Sequence, residues 1–365
     1  MSHFSVVVCL GDEDGKLAEA AQDGAEILQR AVNERLEAVM APFDENREME
    51  PYRDYEKCSP EEHWLYRSLK RADEDDRNGT GILPHKPDEI GWSSSSSKKT
   101  PDEQALQIAK EAAIFRSLPE PPTWESLLDA GAVLYPDDDD SEKLQVDGDR
   151  AYTMSTYNPD SKWDYWRVGG RWGGYFTRKP DSDPAFVILP EKGWDSPDKF
   201  GFYSCDAGPK STIDLDQMRE NGAAKARERH EGYHAIVDGL PEAASWAEFR
   251  ARVEAGALKI DEARRMYREQ PRVKALHGTD YQWGDDAIAE YSVDVSLYAE
   301  RGRAKAVPGF AVVATDGRWM APGRMGWFAS TDATESTECG YGEAANAYID
   351  SLPDDAWLIA IDCHI

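Results

Sequence analysis

The densest set of chemically capable side chains lies between Tyr157 and Trp172, in the run Tyr-Asn-Pro-Asp-Ser-Lys-Trp-Asp-Tyr-Trp-Arg-Val-Gly-Gly-Arg-Trp. Arg167 and Arg171 each offer a planar fork that matches a carboxylate or phosphate, and Lys162 adds a compact cation. Trp163, Trp166 and Trp172 supply flat surface on which a base or similar ring stacks. Gly169 and Gly170 let the backbone approach a ligand closely, or bend tightly. Strand alternation puts Trp163, Tyr165 and Arg167 on one face, and Lys162, Asp164 and Trp166 on the other. Two readings compete: a pocket for a flat, anionic, nucleotide-like ligand, and an aromatic β core with internal Arg–Asp pairing. A looser Gly-Arg-Trp echo at Gly317-Arg318-Trp319 adds Trp319 to the candidate stacking surface, and Trp327 follows it.

A second constellation is Asp362-Cys363-His364. On a strand, Asp362 and His364 share one face and Cys363 takes the other. An Asp–His pair can hold an imidazole as general base or present metal ligands. The other reading puts both at the solvated end of a strand, with His364 bonded to a neighbouring carboxylate. Asp164 is the carboxylate singled out to join them. A Cys363–His364 nucleophile pair is disfavoured because adjacent strand residues point apart.

The third is His230-Glu231-Gly232-Tyr233-His234, a His-Glu-x-x-His match. On a helix it would set His230 and His234 on one face for zinc, with Glu231 as base and Glu254 as third ligand. Against it stand the charged flank with Glu228, and Gly232, which weakens a helix. The plainer reading is two surface histidines. Phosphate-cradling Gly-x-x-x-x-Gly-Lys-Ser/Thr, dinucleotide Gly-x-Gly-x-x-Gly and nucleophile-elbow Gly-x-Ser-x-Gly patterns do not occur.

The elements that must position these residues read as α+β. Phe4 to Leu10 is an apolar β-branched run closed by Gly11, and Leu358 to Ile365 is a second apolar strand. Their character predicts neighbours in one mixed or antiparallel sheet that joins the N- and C-terminal strands, with helical insertions between. Helical periodicity is predicted over 16–41, 60–72, 101–117, 214–238, 245–256, 259–270, 285–305 and 342–352. Strands are predicted over 163–168, 174–177, 186–189, 310–315 and 318–320. The domain reading is 1–72, a mobile linker or insertion over 73–100 rich in Ser and acidic residues, 101–213, a helical 214–306, and 307–365 returning to the sheet with 1–10. The acidic run Asp137 to Asp140 reads as a solvated loop, with a cation site as the alternative.

The formal charge is −28 over 365 residues. Such a chain repels nucleic acid and anionic membranes over most of its surface. Broad nucleic-acid binding is excluded, and no apolar run is long enough to span a bilayer. Twelve Trp argue against a disordered chain. Five cysteines, odd in number and without a Cys-x-x-Cys pair or an export signal, predict reduced thiols in a cytoplasmic protein.

The segment Tyr157 to Trp172 resembles a signature of an uncharacterised family found in bacteriophages and actinobacterial prophages. Met325-Gly326-Trp327-Phe328, the closing Leu358 to Ile365 with its Asp-Cys-His-Ile end, the opening Met-Ser-His-Phe-Ser-Val-Val-Val and Ala41 to Asn46 resemble it too. The resemblance implies a phage or prophage setting in a bacterial cytoplasm, and no particular reaction.

Together these readings give an enzyme, a hydrolase or transferase, or a binder of a small nucleotide-like anion. Its catalytic set is His364, Asp362 and Asp164. Its ligand-binding set is Lys162, Trp163, Arg167, Gly169, Gly170, Arg171, Trp172, Trp319 and Trp327. The alternatives are an acidic protein that binds and blocks a host protein, and a zinc hydrolase at His230, His234, Glu254 and Glu231. Zinc enters only with the last.

Overall fold

The computed structural model describes residues 2–78, 101–134, 144–191, 197–282, 286–324 and 331–365. The chain is α+β, and it forms two compact units, one of residues 1–46 with 160–365 and one of 47–159. These cuts differ from the boundaries expected at 72, 100, 213 and 306. Hydrophobic periodicity marks elements, whereas units are decided by which elements pack together.

The larger unit is built on a sheet. Its central strands are β1 (His3–Leu10) and the closing strand β11 (Trp357–His364). They pair antiparallel from His3 opposite His364 to Leu10 opposite Trp357. The expectation that the two apolar end strands are neighbours is met along their whole length. Along the chain, the other strands of this unit are β5 (Tyr165–Val168), β6 (Phe176–Arg178), β7 (Tyr203–Cys205), β8 (Ala207–Pro209), β9 (Ala311–Val313) and β10 (Trp319–Met320). The order β10-β9-β1-β11-β5 describes the sheet, with β8 also on β11. The pairs β6 and β7 form a separate ribbon.

Alternate residues of β1 and β11 bury against different partners. Val6, Val8, Ile359, Ile361 and Cys363 pack with Leu28, Val32 and Leu36 of α2 (Ala25–Met40) and Leu17 of α1 (Lys16–Asp23). Val7, Leu358 and Ala360 pack with Met218 of α6 (Leu215–Val237) and Ile349 of α12 (Glu335–Ser351). A strand buried on both faces reads as a continuous apolar run, which is why these two were legible. The helix expected over 16–41 is split at Gly24, whose φ of 123° lies outside the helical range.

Between the sheet segments the chain forms α7 (Trp246–Glu254), α8 (Ile260–Glu269), α9 (Pro271–Leu276), α10 (Ala287–Glu290) and α11 (Val295–Lys305). Asp214 caps α6, and Ser245 with Glu248 makes a reciprocal capping box on α7. The single helix expected over 285–305 is two, because the chain turns before Asp294 caps α11. The strand expected at 186–189 is a helical turn over Pro184–Phe186 followed by a bridge from Ile188 to Ala207.

The smaller unit pairs β2 (Tyr52–Tyr55), β4 (Arg150–Ser155) and β3 (Gln145–Asp147) in the order β2-β4-β3. Its helices are α3 (Trp64–Asn78), α4 (Pro101–Ser117) and α5 (Trp124–Leu134). Helix α3 runs into the segment expected to be a linker. The Ser run at 93–97 and the acidic run at 137–140 lie outside the described residues. No helix among the described residues is long and apolar enough to cross a membrane.

Candidate functional site

The sheet changes character at Ala360. Up to that point one edge of β11 pairs with β8, and from Ile361 onward the same edge pairs with β5. Ala360 bridges the changeover. Its N–H donates to Asp206 O at 2.8 Å, and its carbonyl accepts from Gly169 N at 2.9 Å. The apolar face of Leu358 and Ala360 continues into Asp362 and His364. Directly opposite these stand Ser5 and His3 on β1, and Arg167 and Tyr165 on β5. Opposed residues share a face, so the topology gathers histidines, a carboxylate and an arginine at one end of the sheet.

Two Asp–His pairs form there. His364 Nδ1 lies 2.5 Å from Asp164 Oδ1, and Asp164 N donates to His364 O at 3.0 Å. His3 Nδ1 lies 2.8 Å from Asp362 Oδ1. The rings of His3 and His364 stand edge to face with centroids 4.9 Å apart. A carboxylate at Nδ1 accepts from it, which leaves each neutral ring with its lone pair on Nε2. Neither Nε2 has a hydrogen-bond partner among the described residues. Sequence reasoning chose Asp362, His364 and Asp164 and grouped Asp362 with His364. The register instead gives Asp362 to His3 and Asp164 to His364. His3 went unnoticed because its role depends on the pairing of the two end strands.

Asp362 is only 4% exposed. Its second oxygen accepts from Arg171 N at 3.0 Å. The turn Gly169 to Trp172 that provides this N–H needs its glycines. Gly169 and Gly170 have φ of 68° and 55°. A Cβ on Gly170 would fall 2.6 Å from Asp362 Oδ2, and one on Gly169 would fall 2.1 Å from Asp206 Oδ2. The glycine pair therefore lets two buried carboxylates sit against one turn.

Asp206 was not singled out from the sequence. It follows β7, is 3% exposed, and accepts from Gly174 N at 2.5 Å through Oδ1. Burial pushes its carboxyl up to about 6, with Glu191 adding to the rise and the Gly174 N–H and Arg167 opposing it. Asp206 and Glu191 line a cavity of about 440 Å³ beside Gly170, Arg171, Gly174 and Ser204. They also line a second of about 600 Å³, whose walls include Trp163, Asp164 and Arg167. Arg167 and Glu191 form an ion pair. The pointer available in the sequence was weak: an acid between two short strands of small residues, Tyr-Ser-Cys-Asp-Ala-Gly.

The aromatic half of the expected pocket is mostly core. Trp163 is 8% exposed, meets Trp166 edge to face at 6.5 Å, and packs with the α1–α2 side of the sheet. It precedes β5, so it does not share the face of Tyr165 and Arg167. Trp319 packs on Phe43 at 5.0 Å and Phe4 at 6.5 Å, on that same side. Its Gly317 is a hairpin residue, whereas Gly170 opens a helical turn, so the Gly-Arg-Trp echo is not a structural repeat. Trp172 and Arg171 are exposed, and Arg171 lines the 440 Å³ cavity. Lys162 is half-buried, its Nζ donates to Ser161 O at 3.2 Å, and burial lowers its pKa. Trp327 lies outside the described residues. Cys363 faces the core, where burial pushes its thiol well up, so it forms no dyad with His364.

The two histidines of the zinc reading are held by hydrogen bonds to backbone carbonyls. His230 is buried rather than on the surface, and its Nε2 meets Val293 O at 2.9 Å. His234 Nε2 meets Tyr291 O at 3.2 Å. Facing carbonyls, the two Nε2 atoms act as N–H donors, so neither Nε2 offers a lone pair to a metal. Glu231 and Glu254 are exposed, and no group of three or more His, Cys, Asp or Glu among the described residues could hold a metal ion. The two histidines instead tie α6 to the turn before α11. We expect chelator treatment to leave the Tm of the purified protein unchanged; a fall reversed by added Zn²⁺ would reinstate the metal. Comparison with protein-family models, with curated proteins and with solved structures finds no match for this chain.

Proposed function

We propose that this chain is an acid–base enzyme, a hydrolase or transferase, that acts on a small nucleotide-like molecule at the end of the sheet. The resemblance of its signature segments supports a phage setting in a bacterial cytoplasm. One observation carries the enzymatic reading: Asp164, which holds the ring of His364, is also a wall of the 600 Å³ cavity that contains Arg167, Glu191 and Asp206. A cavity of this size suits a ligand as large as a nucleotide.

In this reading His364 Nε2 takes a proton from an attacking water or hydroxyl, and Asp164 orients the ring and steadies the charge it acquires. His364, now protonated, then gives that proton from Nε2 to the leaving group, with His3, held in the same way by Asp362, beside it. A positioned imidazole of this kind contributes about 10²–10⁴-fold. Arg171, exposed and without an ion pair among the described residues, supplies the fork for an anionic group.

The test is turnover of a panel of nucleoside mono-, di- and triphosphates, followed by phosphate release and by base release. His364→Ala should lower the rate by about 10²–10⁴-fold with an unchanged circular dichroism spectrum and melting curve. Asp164→Asn should lower it less, since it orients rather than transfers. Full activity in His364→Ala, or no turnover of any member by the unaltered protein, overturns the reading.

A further inference from the structure

The reaction above uses one open histidine nitrogen at the end of the sheet and leaves a second beside it without a role. His3 gives its Nδ1 to Asp362 at 2.8 Å, and His364 gives its Nδ1 to Asp164 at 2.5 Å. Each Nε2 then carries the lone pair of a neutral ring. Neither Nε2 bonds to a described residue and neither is enclosed, so both are open to solvent. The two side chains are 20% and 16% exposed. A carboxylate behind the ring and a free Nε2 in front is how histidine ligands are held for metal ions, because the carboxylate fixes the tautomer and makes the ring more basic.

The spacing of the rings fits a single ion. With metal–nitrogen bonds of about 2.0–2.1 Å, two imidazoles set about 90–110° apart on one ion hold their centroids roughly 4.5–5.3 Å apart. The centroids of His3 and His364 are 4.9 Å apart. Strand pairing brings them together, since His3 lies opposite His364 in the register of β1 and β11. Asp362 is fixed in turn by Arg171 N at 3.0 Å. Spacing alone does not make such a site: the rings of His230 and His234 are 4.5 Å apart, but their Nε2 atoms face carbonyls. We propose that His3 and His364 together bind one Zn²⁺ through their Nε2 atoms, with water in the remaining positions. Zinc is the ion that neutral imidazoles and a tetrahedral angle suit. No third protein ligand joins them among the described residues, so the ion exchanges readily and is not retained through purification. The chelator result expected for the α6 histidines is therefore unaffected. Zinc and the proton compete for one lone pair on His364, so bound Zn²⁺ blocks the acid–base step, whereas binding itself needs neither substrate nor turnover.

Calorimetric titration of the full chain with Zn²⁺ near neutral pH should give one ion per chain. His3→Gln and His364→Gln should each weaken binding by about 10-fold or more, as expected when a chelated ion loses one of its ligands. The double variant should be little worse than either single one, because the two rings act as a unit. Asp164→Asn, which keeps an acceptor for Nδ1 and removes the charge, should weaken binding by about 10–100-fold. One measurement needs no variant: in the unaltered protein, ring-nitrogen NMR should show the Nε2 signals of His3 and His364 moving in step and saturating at one equivalent of Zn²⁺. Unchanged affinity in His364→Gln, two ions bound with independent losses, or movement of other histidines in place of these two overturns the site. Binding as expected in a protein that turns over no nucleotide supports the ion site and overturns only the enzyme reading. Turnover without zinc binding overturns the ion site alone.

Discussion

Gly169→Ala is expected to destabilise the larger unit by roughly 2–6 kcal/mol, from two additive sources. The first is backbone strain. Gly169 has φ 68° and ψ −77°, a conformation that L-residues rarely adopt. The second is collision, because the new Cβ would lie 2.1 Å from Asp206 Oδ2 and 2.6 Å from its Cγ. The struck atom belongs to a buried carboxylate that is itself tied to Gly174 N, so it cannot swing aside freely. The loss should appear as a lower urea midpoint with an unchanged denaturant slope. The double variant Gly169→Ala/Asp206→Ala separates the sources. It relieves the collision and keeps the strain, so its loss should be smaller than the sum of the two single losses. A cost of less than about 1 kcal/mol for Gly169→Ala would mean that the turn and carboxylate rearrange with ease. The glycine pair would then not be required for the two carboxylates to sit against this turn.

Asp206→Asn is expected to act in the opposite direction, and only above acid pH. The carboxyl ordinarily titrates at 3.8 and is raised to about 6 by burial. The folded chain therefore binds the Asp206 proton more tightly than the unfolded chain does. Stability falls as pH rises from about 4 through about 6 and levels off beyond, the carboxylate then costing up to about 3 kcal/mol. An asparagine never ionises, and its Oδ1 still accepts from Gly174 N. The variant should match the unaltered protein near pH 4, where both side chains are neutral, and exceed its stability by about 1–3 kcal/mol at pH 7–8. Denaturation at a series of pH values measures this. Parallel stability–pH curves for the two proteins would show that Asp206 titrates at its ordinary value and would refute the burial argument.

The parts of the molecule governed by local sequence were readable in advance. The two apolar strands announced themselves by continuous burial, and α6, α7 and α8 were bounded by their caps at Asp214 and Ser245 and by the end of their apolar periodicity. Pairing of β1 with β11 followed from their shared apolar character, since strands buried on both faces need neighbours on both sides. The faces of Asp362, Cys363 and His364 followed from the two-residue period alone. Errors arose where local signals were short or competed. Three-residue strands such as β7 and β8 span too little to show alternation, and the break at Gly24 lies within an otherwise unbroken helical pattern.

The tertiary structure decided which charges meet. His3 stands beside Asp362 because β1 and β11 run antiparallel in one register, and a shift of one residue would turn each to the opposite face. Asp164 reaches His364 because β5 begins one residue after it on the edge of β11. Asp206 gained its burial from the switch of partners at Ala360, a junction of three segments drawn from residues 169, 206 and 360. The same distinction sorts the tryptophans. Residue type could propose a stacking surface, but only packing placed Trp163 and Trp319 in the core and left Trp172 exposed. Periodicity is a property of neighbours along the chain, and a site is a property of neighbours across it; loop closure between distant segments leaves no trace in the local pattern.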